Sequence, residues 1–156
     1  MDQLAYRVKL LADKDTMKYN KGYGDNGSGC YYLTQEQAEH WFKNWDNPPQ
    51  RYYSYLMNSL DGLPVGDVNI RYDEGRKLHM VGIVIEASRR GQGYAEEGLK
   101  LLAEKAFTDF GLNEIADDFP ISRIAAERVF KKVGFIRRLD GLLILTKEDF
   151  LKLHTK

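Results

Sequence analysis

The sequence has 156 residues, of which 23 are basic and 23 acidic, and it contains a single cysteine. A chain of this length is expected to form one domain over residues 1–156, with a core large enough to need no disulfide. The formal net charge of zero argues against a nucleic-acid-binding protein, which normally carries a basic excess. The three histidines are scattered and show no metal-ligand spacing, so no metal is expected.

The N-terminal residues 1–18 carry charges throughout and lack the apolar run of a secretory signal peptide. No stretch of the sequence approaches the roughly 18 consecutive apolar residues that a membrane-spanning helix needs. We therefore expect a cytoplasmic protein that has no membrane partner.

The N-terminal third of the chain predicts a strand, a loop and a helix, in that order. Apolar residues recur from Leu4 to Leu11, and we predict a first strand there. A glycine-rich run over residues 22–29 predicts a mobile loop, because glycine accepts positive φ angles. Thr34 and Gln37 fit a capping box, and a pair of prolines ends the helix that they open.

The rest of the chain predicts a meander of three antiparallel strands, followed by alternating helices and strands. Asp61-Gly62 is a turn signal between the first two strands of the meander. Helices are predicted after Ala95 and from Pro120, and a short helix ends the chain. The predicted strands are Arg51–Leu60, Val65–Tyr72, Leu78–Ile85, Glu114–Phe119, Phe135–Arg138 and Leu142–Thr146. This order of elements is typical of a mixed α+β layer fold.

The segment from Arg89 to Ala95 connects a predicted strand to a predicted helix and contains two glycines. The first backbone N–H groups of a helix have no partner within it and carry the positive end of the helix dipole. Gly91 and Gly93 leave room for a phosphate to approach those groups. Arg90, and Arg89 beside it, can add charge-assisted hydrogen bonds. The segment therefore predicts a pyrophosphate site.

Two common phosphate-binding motifs do not fit this loop. A P-loop would need Gly-Lys-Ser/Thr at its end, and that sequence is missing here. A dinucleotide-binding fold would need a third glycine where Glu96 stands, and a parallel βαβ unit in place of the antiparallel meander.

The loop resembles that of the GNAT superfamily of acyl-CoA N-acyltransferases, whose pattern is Arg/Gln-x-x-Gly-x-Gly/Ala. The matching residues are Arg90, Gly91, Gln92, Gly93, Tyr94 and Ala95. The second signature of the family, a later helix that ends in Gly-Phe and has a small residue facing the cofactor, is matched by Ala126 and Gly134-Phe135. The resemblance implies an α+β GNAT fold with a mixed, mostly antiparallel sheet and helices on both faces. Within the family the loop looks most like the branch that acetylates N-termini of ribosomal and other proteins.

The resemblance also implies roles for individual residues. The strand before the loop would splay from its neighbour, so that the backbone of Ile83, Val84 and Ile85 pairs with the pantetheine arm of acetyl-CoA. Asp118 would accept a proton from the acceptor amine, with Asp117 and Glu86 as rival carboxylates. A base is useful because most amines are protonated at neutral pH and cannot attack.

At two positions the sequence departs from the family pattern. Arg123 stands where the family often has an asparagine that binds pantetheine, and it could instead reach the phosphates or be solvated. Phe130 stands where the family often has a tyrosine that protonates the departing sulfur, and a phenyl ring has no proton to give.

The resulting hypothesis is an enzyme that transfers an acetyl group from acetyl-CoA to a primary amine by direct attack. The acceptor would be a small-molecule amine or the amino group of a peptide or protein, and would enter from the face built by the helix over residues 34–45 and the loop before it. The protein would act as a monomer or a homodimer and would bind no nucleic acid. The alternative is a CoA-binding module without catalysis, which Phe130 favours.

Overall fold

A computed structural model describes residues 2–154 of the chain. The α-helices within this range are α1 Gln3–Ala12, α2 Gln35–Asn44, α3 Tyr94–Glu104, α4 Ile124–Val133 and α5 Lys147–His154. The strands are β1 Arg51–Met57, β2 Pro64–Asp73, β3 Leu78–Ile85, β4 Glu114–Asp117, β5 Ile136–Arg137 and β6 Leu143–Thr146. Short 3₁₀ segments cover Thr16–Asn20, Asp25–Gly27 and Ala87–Arg89, and a π-helical segment at Lys105–Asp109 extends α3.

The strands form one sheet in the order β1-β2-β3-β4-β6-β5. Neighbouring strands of this sheet are antiparallel except β3 and β4, which are parallel and share only the pair Met80↔Ala116. Beyond that pair the two strands run on towards Ile85 and Asp117 without pairing to each other. The sheet therefore opens between β3 and β4 at their C-terminal ends.

Helices cover both faces of the sheet, as expected. On one face α3, α4 and α5 bury Leu99, Phe130 and Phe150 against residues of the sheet such as Ile70 and Leu143. On the other face α1 packs its buried side chains against Val84. The predicted α+β class with a mixed, mostly antiparallel sheet is confirmed.

The helix over residues 3–12 corrects the strand that we predict from Leu4 to Leu11. The Asp2 carboxylate accepts a hydrogen bond from the Ala5 backbone N–H at 2.7 Å, which caps the first turn. Tyr6 and Leu10, four residues apart, are buried, whereas alternation would also require Val8 to be buried and it is only partly so. The apolar residues in this segment fit both the period of a helix and that of a strand, and packing on the sheet favours the helix.

The other predicted elements are present, with shifted ends. Thr34 caps α2 in a capping box with Gln37, as predicted. The β1 strand stops at Met57 because the Asn58 side chain bonds the backbone N–H groups of the turn that follows. Helix α4 begins at Ile124 and not at Pro120, and Gly134 ends it with a φ of 120°.

Candidate active site

The gap between β3 and β4 opens into a cleft of about 850 Å³. Residues 81–85 of β3 form its floor, and the N-terminal half of α4 forms one wall. The opposite wall comes from α1 and from residues of the segment that connects α1 to α2. Of the predicted acceptor side, the loop before α2 lines the cleft through Tyr19 and Asn20, whereas α2 contributes no lining residue. Trp41 of α2 packs edge-to-face on Tyr53 of β1, at 5.2 Å between ring centroids.

Free backbone groups of β3 face the cleft. The Glu86 N–H donates to the Val65 carbonyl at 2.8 Å, which continues the pairing of β3 with β2. In an antiparallel pair the hydrogen-bonding direction alternates from residue to residue. Val84 therefore bonds β2, whereas the N–H and C=O groups of Ile83 and Ile85 point to the opposite side, where β4 has diverged.

The glycine loop closes one end of the cleft. Gly91 has a φ of 76° and Gly93 a φ of 85°, a left-handed conformation that other residues rarely adopt. A Cβ atom placed on either glycine would have no heavy atom of the described chain within 4 Å. Gly93 is the N-cap of α3 and no side chain caps this helix. The first N–H groups of α3 are therefore open to an anion.

The two arginines of the loop are held by the protein itself. Arg90 lines the cleft and donates to the Thr16 carbonyl at 2.7 Å. Arg89 forms an ion pair with Asp61 at 3.3 Å. The Thr16 hydroxyl in turn accepts from the Ala87 N–H at 2.9 Å. These bonds fix the loop against the first 3₁₀ segment. Some of the N–H groups that Arg89 and Arg90 were expected to offer to phosphates are therefore already bonded within the protein.

The adjacent carboxylates Asp117 and Asp118 lie in different environments. Asp117 lines the cleft and accepts a hydrogen bond from the Asp118 N–H at 2.7 Å. Burial raises the pKa of the Asp117 carboxyl to about 6, against the lowering effect of that hydrogen bond and of Arg71 and Arg123. Asp118 is exposed, does not line the cleft, and is ion-paired with Arg76. The third candidate, Glu86, accepts from the Tyr6 hydroxyl at 3.3 Å outside the cleft.

Arg123 crosses the cleft. Its guanidinium lies 4.6 Å from the centroid of the Tyr19 ring and 5.1 Å from that of Phe119. Tyr19 belongs to the first 3₁₀ segment and Phe119 follows β4, so this stack joins the two walls. Cation–π contacts of this kind are attractive but weak.

Phe130 and Ala126 lie on the side of α4 that lines the cleft. Phe130 is only 2% exposed and packs edge-to-face on Phe119 at 5.0 Å between centroids. The phenolic groups of the cleft come from Tyr19 and Tyr31 on the opposite wall. Gln92 and Tyr94 do not line the cleft, and the Tyr94 hydroxyl accepts from the Asn58 amide.

The polar residues of the cleft that have no place in the sequence-based prediction include Arg7, Asn69 and Arg71. The alternation of β2 places Asn69 and Arg71 on one face, together with Asp67. That alternation is the sequence signal from which the shared position of Asn69 and Arg71 could be predicted. The position of Arg7 could not be derived, because the segment that carries it was assigned to a strand.

Arg7 reaches the sheet through a buried ion pair. One terminal nitrogen of its guanidinium lies 2.8 and 3.0 Å from the two oxygens of Asp67, and the Tyr53 hydroxyl donates to the same carboxylate at 2.9 Å. Asp67 is fully buried, and burial raises the pKa of its carboxyl. The Arg7 Nε is buried without a hydrogen-bond partner among the described residues.

Residues 2–136 match the family model described as acetyltransferase (GNAT) domain. The chain belongs to the GNAT acetyltransferase family. Acetyltransferases of this family take acetyl-CoA as their acyl donor and transfer the acyl group to an amine. The predicted family and acyl donor are thereby confirmed.

Solved structures show the same fold at low sequence identity. A GNAT-family acetyltransferase from Bacillus anthracis is 17% identical and has a TM-score of 0.67, over 90% of this chain and 87% of that one. A spermidine N-acetyltransferase from Vibrio cholerae, in complex with CoA and spermine, is 12% identical and has a TM-score of 0.75, over 97% and 95% of the two chains. No curated protein sequence is a significant match to this acetyltransferase.

The described residues 2–154 hold neither a cluster of metal ligands nor a membrane-spanning helix. These residues bring together no group of three or more potential metal ligands. Their helices include none that is both long and apolar enough to cross a bilayer.

Proposed function

We propose that this acetyltransferase transfers the acetyl group of acetyl-CoA directly to a primary amine while both substrates are bound. The observation that carries the proposal is the divergence of β3 from β4, which opens a cleft that the glycine loop closes at one end. Its volume of about 850 Å³ lies in the range of small-molecule sites.

The residues of the cleft fit the chemical parts of the donor. The open amides at Gly93–Ala95 and the empty space beside Gly91 suit a pyrophosphate. The unpaired backbone groups of Ile83 and Ile85 suit the amides of pantetheine, and an N–H there would also stabilise negative charge that develops on the thioester oxygen. Ala126 leaves room for the arm on the side of α4. Acetyl-CoA supplies an acyl thioester that a neutral amine can attack.

We propose Asp117, rather than Asp118, as the group that accepts the proton of the amine. Asp117 lines the cleft, whereas Asp118 is turned outward to Arg76. A pKa of about 6 leaves the carboxylate mostly ionised at pH 7 yet more basic than an ordinary aspartate, which suits a general base. The proton passes from the ammonium to the Asp117 carboxylate, directly or through a water.

The departing sulfur needs no acid at position 130. A thiol has a pKa near 8.5, so its anion leaves readily close to neutral pH. Tyr19 and Tyr31 are the hydroxyl-bearing side chains that line the cleft, and either can donate a hydrogen bond to that sulfur. Loss of the family tyrosine is therefore compatible with catalysis.

The proposal is tested by incubating the protein with acetyl-CoA and a panel of primary amines, and by following both free thiol and the acetylated amine. We expect at least one amine to give both products in equal amounts. Binding is measured separately, as the shift of the thermal midpoint by CoA and by acetyl-CoA. Binding of CoA without thiol release from any amine would establish the non-catalytic CoA-binding module instead.

A further inference from the structure

Arginine side chains are concentrated along the β2 side of the cleft. Arg7, Asn69 and Arg71 lie in a row along the cleft side of β2, because Arg7 is bonded to Asp67, and residues 67, 69 and 71 share one face of the strand. We refer to these three residues as the cationic row. Alternate residues of a strand are about 7 Å apart, so the row has the dimensions of a small molecule.

Arg71 is the strongest element of the cationic row. Its guanidinium has no hydrogen-bond or ion-pair partner within residues 2–154, although it lines the cleft. Its cross-strand neighbour in the β1–β2 ladder is Arg51, and like charges directly opposite each other repel. Arg51 is itself occupied by the carbonyls of Gln50 and Tyr72. Arg71 is exposed and acts on the carboxylate of Asp117 without a hydrogen bond between them. Its guanidinium is therefore available to an anion from outside the chain.

Asn69 lies beside Arg71 and supplies a different group. The residue is 8% exposed and lines the cleft, and its Oδ1 has no hydrogen-bond partner in the described part of the chain. Its side chain covers Gly82 of β3, where an added Cβ would lie 2.6 Å from the Asn69 Nδ2. A buried, unsatisfied carbonyl oxygen is costly, and the N–H of an amine substrate would satisfy it.

The charges that face the cleft do not suit a polycation. Four arginines line it, at positions 7, 71, 90 and 123, against the single acid Asp117. Asp67 lies behind Arg7 and is saturated by it and by Tyr53. A polyamine would bring several positive charges to this surface, and juxtaposed like charges exclude a partner.

We propose that the acceptor is a small primary amine that also carries an anionic group, a carboxylate or a phosphate. The Arg71 guanidinium binds the anion, the Asn69 Oδ1 accepts an N–H of the amine, and Asp117 takes the proton. This inference rests on the proposed acetyl transfer. It assigns to this chain an acceptor with an anionic group, which spermidine, the compound named for the Vibrio cholerae enzyme, does not have.

The test compares matched amines that differ only in the anion. Alanine is paired with alaninamide, and glucosamine 6-phosphate with glucosamine, with spermidine as the polycation. We expect the anionic member of one pair to be acetylated with at least about tenfold higher kcat/KM than its neutral partner, and spermidine to be the poorest acceptor. The pair that responds distinguishes carboxylate from phosphate.

The variant Arg71→Gln locates the effect. We expect it to lower kcat/KM for the anionic acceptor about 10- to 100-fold, the value of a lost charge-assisted hydrogen bond, and to leave KM for acetyl-CoA within about twofold. For the neutral partner the loss should be at least about tenfold smaller, because only the anionic acceptor loses a charge-assisted hydrogen bond. Arg138→Gln, which removes an exposed charge paired with Asp140 outside the cleft, is the matched control and should behave as wild type.

Binding to the CoA complex separates this inference from the proposed function. We expect calorimetry with CoA-saturated protein to detect the anionic amine but not spermidine, and Arg71→Gln to abolish that signal. Acetylation of spermidine in preference to both anionic amines would overturn the inference and leave acetyl transfer intact. Absence of thiol release with every amine, together with normal binding of the anionic amine, would overturn the proposed function alone.

Discussion

At the scale of single residues, two neighbouring carboxylates show what the sequence can and cannot establish. The sequence predicts an acid at the end of β4, and the resemblance selects Asp118 over Asp117. Successive side chains of a strand point to opposite sides, so only one of two neighbouring aspartates at the end of β4 can face the cleft. Which one faces it depends on where the strand ends. Asp117 lines the cleft, and Asp118 forms an exposed ion pair with Arg76.

Replacing Asp117 with asparagine removes the proposed base and keeps its shape. We expect turnover at neutral pH to fall about 10²- to 10⁴-fold, with partial recovery at high pH, where more of the amine is uncharged. In the wild type kcat/KM should fall as the pH drops through about 6, because the carboxylate becomes protonated. Asp118→Asn is the matched control and should stay within about threefold, so the reverse result would reinstate Asp118.

The same substitution has a predicted effect on stability. The folded pKa of Asp117, about 6, lies above the value near 3.9 of an unfolded aspartate. The folded state therefore loses stability as the pH rises between these two values. Asp117→Asn should remove this part of the pH dependence, and its midpoint of urea unfolding at pH 7 should equal or exceed that of the wild type. A clear decrease at pH 7 would mean that the carboxylate is stabilised, not strained, by its surroundings.

Catalysis is predicted to need no acid at position 130. Phe130→Tyr adds one hydroxyl to a ring that is 2% exposed and packed on Phe119, and we expect thiol release to change by less than about tenfold. The cleft has other hydroxyls, and the thiolate is a fair leaving group. If the wild type binds acetyl-CoA without turnover and the variant is active, both the proposed activity of the wild type and the small effect of Phe130→Tyr are wrong.

At the scale of elements, the sequence predicts most of the second half of the chain and misses the first helix. Capping boxes, turn pairs and glycine stops are local signals, and they locate α2, the β1–β2 turn and the end of α4. The segment over residues 3–12 carries apolar residues that fit both the helical and the strand period, and only its packing on the sheet distinguishes the two. The error had a consequence for the site, because it removed Arg7 from the wall of the cleft.

Gly93→Asp tests the role of the N-terminus of α3. Acetyl-CoA at a hundred times its Kd should stabilise the wild type by about 2.7 kcal/mol, and the variant should lose this stabilisation because it places a negative side chain against the phosphate site. Gly111→Asp is the control, since Gly111 also has a left-handed φ, of 65°, and open space around it. Equal stabilisation of both variants by acetyl-CoA would exclude the loop as the phosphate site.

The ion pair between α1 and β2 makes a separate prediction. Arg7→Met leaves Asp67 fully buried without its cation, and we expect a loss of about 3 kcal/mol in unfolding free energy at pH 7. The loss should shrink as the pH falls, because Asp67 then takes up a proton. Arg7→Met combined with Asp67→Leu should recover part of the stability, and a loss that is independent of pH would show that packing and not charge is responsible.

At the scale of the whole molecule, the zero net charge conceals an uneven distribution. Composition excludes a strongly basic protein, but it cannot report where the charges lie. The fold gathers four arginines around the cleft, so the remaining surface carries the excess of acid. The arginines come from α1, β2, the glycine loop and the N-cap of α4, and only the assembled sheet brings them together.

Four arginines against one aspartate give the lining of the cleft a net positive charge. Acetyl-CoA carries phosphates and would be drawn towards that charge before any contact forms. We expect its association rate constant to fall about tenfold between 20 and 300 mM salt, and its dissociation rate constant to change much less. Stopped-flow fluorescence would measure both, and an association rate constant that is independent of ionic strength would show that encounter is governed by diffusion and shape alone.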